Sequence, residues 1–273
     1  MIRNNYIDLR NLSVCIVGNA AYMKNKKMGK HIDTFDRVAR INLGINIINV
    51  DDFGCKTHMA MVALSNGKIE SIVNCYENIY ENNRIKKHDI ISVCKSRKIE
   101  YLIAVSVCVN SNERMRWLDH FSKVSADELK YVINSDIYDK YLFGITSGIS
   151  SIIYILSCKP KSVYICGFSC KLDIHTDYKK YHMSFSKRAM NGTYDDQQKN
   201  WHSTKFELYI LKNLFLKYKF ETDDVMCNML NNIDTSSMNN DMYIGKFKGI
   251  HVEYKYENKM KDIYKLIDNG FKM

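Results

Sequence analysis

The residues best placed to do chemistry stand at the ends of short apolar runs. The run Val14 to Val17 stops at Gly18-Asn19, and a second run, Val38 to Ile41, stops at Asn42. A buried strand that ends in Gly-Asn brings backbone N–H groups and a side-chain amide to its tip, which suits a phosphate or a ribose. Two such tips about one strand–helix–strand unit apart place Asn19 and Asn42 on the same rim of a parallel sheet. The chemistry expected of that rim is the holding of a nucleotide-type ligand. Further on, His202 stands just ahead of an amphipathic stretch, in a polar segment where an imidazole can reach a ligand. An ordinary imidazole pKa near ~6.5 fits a general base. On spacing alone, a helix cap or a surface residue is the favoured reading of His202. The acidic pairs Asp51-Asp52 and Asp195-Asp196 lack D-x-D spacing. They are expected to be solvated loop residues, and no metal is assigned.

Those tips need strands and helices to hold them. Strands are predicted at Ser13–Val17, Arg37–Ile41, His58–Leu64, Tyr101–Val107 and Ser162–Cys166, each short, apolar and rich in Val, Ile or Met. That is the pattern of parallel strands buried on both faces. Helices are predicted at 66–81, 111–124, 125–133 and 147–158, the last with Ser147 as its cap. Residues 206–218 read as a further amphipathic helix. Alternating strands and helices predict an α/β fold, a Rossmann-like, mostly parallel sheet flanked by helices. The economical organisation is a single domain over residues 1–273, with residues 171–198 as a lid. That stretch is polar, rich in Tyr and His, and without a period. The lysine-bearing tail, 253–273, reads as a terminal helix. Its solvated form is favoured over one lying on an anionic membrane face, because its charge is barely positive.

Composition narrows the classes. The chain has 273 residues, enough for a substantial core, with one proline and a net charge of +10. The basic balance fits a solvated surface, an anionic small substrate or an acidic membrane surface. Zinc-finger spacing, a basic leucine zipper and an Arg-rich arm are all missing from the sequence, so nucleic acid is not an expected partner. The N-terminus lacks the apolar core of a signal peptide, and no run of ~18 apolar residues occurs. The expected location is cytoplasmic, with peripheral contact at the inner membrane as its variant. Nine scattered cysteines without a C-x-x-C pair fit reduced, buried thiols.

Three segments together resemble a known family. Residues 13–57 carry Ile16-Val17-Gly18-Asn19, then GKHIDTFDRVARIN from Gly29 to Asn42, then Asp52-Phe53-Gly54-Cys55-Lys56-Thr57. This resembles the large sialylmotif of sialyltransferases. Residues 145–168, from Thr146-Ser147-Gly148 to Gly167-Phe168, resemble the small sialylmotif, and His202 through Glu207 gives the H-x-x-x-x-E of the very small motif. All three occur in the family's order, which is more specific than any one of them. The expected lack of a membrane anchor makes the chain resemble the small bacterial members that decorate lipooligosaccharide or capsule, while the large-motif pattern resembles the eukaryotic type more closely.

The resemblance implies an inverting, metal-independent transfer of sialic acid from CMP-sialic acid to a sugar hydroxyl, with no cofactor. The partners implied are the CMP-sugar donor and a glycan acceptor. The donor would rest on Asn19, Asn42 and the turn Thr146-Ser147-Gly148, whose helix-opening N–H groups and hydroxyls suit a phosphate or carboxylate. Gly167-Phe168 would lie beside the cytosine, with a strand-end turn and a core phenylalanine as the competing reading. His202 would take the acceptor's proton. The developing phosphate charge would be met by Tyr178 and Tyr181, or by His182, with His175 a weaker choice. Glu207 lies about 500° around a helix from His202, so it is expected to orient backbone or a neighbouring helix. Eukaryotic-type members bridge a cysteine of the large motif to one of the small motif. Cys158 sits near one partner position, but Cys15 is one residue off. On a strand that shift turns a side chain to the other face, so the bridge is not expected. Transfer of another CMP-activated acid, such as Kdo, is the alternative on the same fold. A non-catalytic nucleotide-binding protein is the alternative of another class.

Overall fold

A computed structural model describes residues 7–41, 49–64, 94, 97–107, 129–133, 145–169, 204–247 and 250–270. Its centre is a seven-stranded sheet. The strands are β1 (Ser13–Val17), β2 (Arg37–Ile41), β3 (Met59–Leu64), β4 (Tyr101–Val107), β5 (Lys130–Ile133), β6 (Ser162–Cys166) and β7 (Glu221–Thr222). Their order across the sheet is β5-β4-β3-β2-β1-β6-β7, and every pairing is parallel. A separate antiparallel hairpin joins β8 (Met242–Phe247) to β9 (Ile250–Lys255). The Rossmann-like α/β reading therefore holds. Four of the five expected strands have the expected bounds; the third begins one residue later, at Met59 rather than His58.

The apolar runs become strands because the sheet is covered on both faces. In β1, Val14 and Ile16 enter the larger core, while Cys15 and Val17 enter a smaller one on the opposite face. Helices α1 (Gly29–Ile32) and α2 (Val50–Phe53) are short and lie on the smaller-core side, where Ile32 is buried and Phe53 packs. The larger core takes α3 (Ser147–Ser157), α4 (Thr204–Tyr218), α5 (Asp224–Asn232) and α6 (Tyr256–Asn269). Every residue of α3 from Ile149 to Ser157 is buried. A helix buried all round is a central one, and α3 lies against β2, β3, β4, α4 and α6.

Three expectations are corrected. Residues 125–133 were expected to be helical, but Lys130–Ile133 pair with Tyr101–Ala104 as the edge strand β5. The sequence Lys-Tyr-Val-Ile is aromatic and β-branched, and the open edge of β4 outweighs any helical tendency. The cap of α3 is Thr146, which is extended and makes no side-chain cap bond; Ser147 is already helical. In the tail, Glu253–Lys255 belong to β9, and the helix starts only at Tyr256. Its buried face includes Tyr256, Met260, Ile263, Leu266 and Ile267, so the apolar side of this helix is used within the protein. Among the described residues no helix is long and apolar enough to cross a membrane. The helices expected at 66–81 and 111–124 and the proposed lid lie outside the described residues.

Candidate active site

The strand order reverses direction between β1 and β6. From β1 the chain steps outward through β2, β3, β4 and β5, then returns to place β6 on the other side of β1. In open parallel sheets, ligands bind at such a reversal, outside the carboxyl ends of the strands. Here those ends are Gly18-Asn19 after β1 and Gly167-Phe168 after β6.

The two tips touch. Gly18 N–H donates to the Cys166 carbonyl at 2.8 Å, and Ala20 N–H donates to the Gly167 carbonyl at 2.9 Å. A Cβ on Gly18 would stand 2.2 Å from the Gly167 oxygen, so only glycine allows this approach. Gly167 also has φ +74°, a conformation that glycine adopts without strain. The third wall is the start of α3, where a Cβ on Gly148 would meet the Phe168 ring at 3.0 Å. Gly18-Asn19 thus converges with Thr146-Ser147-Gly148 and Gly167-Phe168, both more than a hundred residues further along the chain. Asn19, Thr146, Ser147 and Gly148 are half-buried, whereas Phe168 is buried and belongs to the larger core. Asn19 donates its amide to the Ile41 carbonyl at 3.0 Å. That bond ties the tip of β1 to the last residue of β2, directly before Asn42. Asn42, Tyr178, Tyr181, His182, His175 and His202 lie outside the described residues.

Glu207, on the first turn of α4, is 2% exposed, and its carboxylate accepts from Thr146 N–H at 3.2 Å. It thereby orients the turn that opens the neighbouring helix α3, the structural role expected of it. A carboxylate at a helix start is favourable. One donor of the Thr146 turn is therefore already engaged by the protein, while the N–H groups of Ser147 and Gly148 have no intrahelical acceptor by helix geometry.

Much of the large motif faces inward instead. Arg40 is 1% exposed, and burial lowers its pKa to about 10, so it stays charged at neutral pH. Its guanidinium donates to the carbonyls of Phe53 (2.7 Å), Gly54 (3.3 Å) and Lys56 (2.9 Å) and to the Thr57 hydroxyl (2.9 Å). Asp33 accepts from the N–H groups of Cys55 (2.8 Å) and Lys56 (2.9 Å). Burial alone would raise the pKa of Asp33, but these bonds outweigh it and hold the carboxyl below its usual range. Gly29 lies so close to α2 that a Cβ would stand 2.0 Å from the Val50 oxygen. Asp52 corrects the expectation of a solvated acidic pair. Asp51 is exposed, but Asp52 is 1% exposed and accepts from Asn25 N–H (2.8 Å), Lys27 N–H (2.9 Å) and the Asn49 amide (2.8 Å). Three donors compensate the buried charge. Among the described residues no group of three or more His, Cys, Asp or Glu side chains converges to hold a metal.

The cysteines sort as the strand-register argument expected. Cys15 belongs to the smaller core, beside Cys166, and Cys158 to the larger core on the other face of the sheet; all are free thiols. Two residues that the sequence reading missed also reach the site. Tyr22 donates to Asp223 at 2.7 Å, and Asp223 accepts Gly167 N–H at 2.9 Å. The only local signal was Asp223 ahead of an amphipathic stretch, which reads as a helix cap. A cavity of about 410 Å³ lies elsewhere, at the amino ends of the strands, lined by Leu156, Lys161, Ser162, Phe220 and Ile267. It lies at the opposite end of β6 from Gly167-Phe168.

The comparisons bear on this geometry. The family model described as glycosyltransferase family 29 (sialyltransferase) matches residues 7–219, well over half of the chain. A mammalian sialyltransferase, solved in complex with Gal-beta-1-3GalNAc-ortho-nitrophenol, is similar over 69% of this chain and 68% of that chain. It has 17% identity and a TM-score of 0.33. No curated protein matches the chain significantly. The matched segment contains the converging motifs, from the β1 tip through the first turn of α4. The chain belongs to glycosyltransferase family 29, the sialyltransferases.

Proposed function

We propose that this sialyltransferase transfers sialic acid from CMP-sialic acid to a sugar hydroxyl of a glycan, with inversion and without a metal. The observation that carries the reading is the convergence of Gly18-Asn19, Thr146–Gly148 and Gly167-Phe168 at the strand reversal of a family 29 chain. The half-buried Asn19 and the free first-turn N–H groups of α3 suit an anionic nucleotide. His202 is the proposed general base. It stands two residues ahead of α4, whose first turn Glu207 ties to the Thr146 turn. In that role its imidazole takes the proton of the acceptor hydroxyl as the oxygen attacks the anomeric carbon and the CMP phosphate leaves. Tyr178, Tyr181 or His182 would donate to the leaving phosphate.

The test uses CMP-sialic acid with a panel of galactosides and sialosides, in chelator and with added divalent metal. Expected are an inverted sialoside of defined mass and equal rates in the two conditions. His202→Ala should keep CMP binding and lose transfer by ~10²-fold or more. Near-normal transfer by that variant would remove His202 from the base role. Activity abolished by chelator and restored by metal would overturn the metal-free reading. Preference for CMP-Kdo over CMP-sialic acid in competition would overturn the donor assignment.

A further inference from the structure

The wall of the strand reversal formed by Gly167-Phe168 is held from two distant parts of the chain. Tyr22 lies in a single 3-10 turn, Ala21–Met23, just beyond the β1 tip. Asp223 is the N-cap of α5. One carboxylate oxygen of Asp223 accepts from Met226 N–H at 2.9 Å and so caps the helix. The other accepts from both the Tyr22 hydroxyl (2.7 Å) and Gly167 N–H (2.9 Å). The Tyr22 oxygen in turn accepts from Phe168 N–H at 3.1 Å. The two backbone amides that follow β6 are thus both held by this pair, where Gly167 has φ +74°. Asp223 is 8% exposed, so its bonds form in a desolvated setting where a lost partner is costly. It also lies beyond residue 219, where the family match ends.

We propose that Tyr22 and Asp223 are a positioning pair that sets the Gly167-Phe168 wall of the donor site. Neither is a catalytic residue. Asp223 fixes the amide of Gly167, and Tyr22 transmits the same carboxylate to the amide of Phe168. Burial and the Asp223 charge push the Tyr22 hydroxyl well above its ordinary pKa, so it remains a donor at working pH. The pair's effect on donor binding rests on the reading that the strand reversal takes the CMP donor.

Asp223→Asn separates positioning from charge. Asparagine can keep the cap to Met226 N–H but presents an amide to Gly167 N–H, so two donors face each other. Removing a negative charge near a site for an anion would by itself tighten binding. The positioning role predicts the reverse: a KM for CMP-sialic acid, and a Kd for CMP by calorimetry, at least tenfold higher, with kcat changed less than threefold. Tyr22→Phe removes the acceptor for Phe168 N–H and should raise the same constants three- to tenfold. The double variant should be no worse than Asp223→Asn, because the two act through one network. Amide hydrogen exchange at Gly167 and Phe168 should quicken in each variant, with or without ligand. If Asp223→Asn does not fold, Tyr22→Phe carries the same readouts. Unchanged exchange at those two amides, or tighter CMP binding by Asp223→Asn, overturns the positioning pair. A parent protein that binds no CMP overturns the donor-site reading instead, and the exchange result still decides whether the pair holds the wall.

Discussion

Two regions carry the family motifs, and they use polar groups in opposite ways. In the interior of the large motif, from Gly29 to Thr57, the buried Arg40 and Asp52 and the half-buried Asp33 donate to or accept from backbone. Arg40 serves the carbonyls of Phe53, Gly54 and Lys56, Asp33 serves the N–H groups of Cys55 and Lys56, and Asp52 serves those of Asn25 and Lys27. At the strand reversal Asn19 and the Thr146–Gly148 turn stay half-buried beside the tightly apposed Gly18 and Gly167, and the first-turn N–H groups of α3 lack intrahelical acceptors. The difference teaches that a motif residue's role follows from where its polar atoms end. The interior builds the loop, and the rim is left able to bind.

Substitutions can break that comparison, and the largest effect belongs to the interior. Arg40→Met leaves three carbonyls and a hydroxyl without their donor. The expected loss is at least about 3 kcal/mol of unfolding free energy, read by urea denaturation. Unaltered stability would mean that Arg40 does not hold the 53–57 loop. Next come two glycines. Gly29→Ala and Gly18→Ala each drive a Cβ onto a carbonyl, at 2.0 and 2.2 Å, and each should cost about 1–3 kcal/mol. Only Gly18→Ala, which parts the β1 and β6 tips, should also raise the donor KM, by roughly tenfold (~1.4 kcal/mol). Equal KM changes in the two variants would erase the distinction between interior and rim.

Asn19→Ala sharpens the rim side. It removes one amide bond to Ile41, so unfolding should shift by only about 1 kcal/mol. If the same side chain meets the anionic donor, kcat/KM should fall roughly ten- to hundredfold. A variant with lowered stability and full activity would return Asn19 to the scaffold. The smallest effect is a pH dependence confined to the interior. His58 accepts Val38 N–H on Nδ1 at 3.0 Å, which requires the neutral ring. Burial, with Arg37 close by, lowers its pKa. The unfolded chain therefore binds a proton that the folded protein resists. The stabilisation is full above about pH 6.5 and drains away as pH falls below it. His58→Gln should flatten the stability curve between about pH 5 and 7. An unchanged slope would show that another group titrates there.

The legible part of the fold was the part with a local period. Ser13–Val17, Arg37–Ile41, Tyr101–Val107 and Ser162–Cys166 are short runs dominated by Val, Ile and other apolar residues, and a strand buried on both faces leaves that trace. Lys130–Ile133 left no such trace, because it is a short edge strand whose pairing with β4 is decided across the sheet. The site was half legible. Asn19, the Thr146 turn and Gly167 stand at strand or helix ends, and ends are visible in sequence. The burial of Asp52, next to the exposed Asp51, was not visible, since it depends on the Asn25 and Lys27 amides folding over it.

By itself the sequence determined the alternation of strands and helices, the Gly-Asn and Gly-Phe tips, and the motif order that points to a CMP-type donor. It also made a bridge from Cys15 to Cys158 doubtful, because Cys15 is one strand residue off the position that the resemblance implies. Only the tertiary structure decided that the chain returns past four strands to set β6 beside β1. That return makes neighbours of Gly18 and Gly167, joins Glu207 to Thr146, and brings Asp223 across two hundred residues to Tyr22. Local periodicity reports which face of an element is buried. It carries no record of which distant hydrogen-bonding group that face will meet, and here those meetings shape the site.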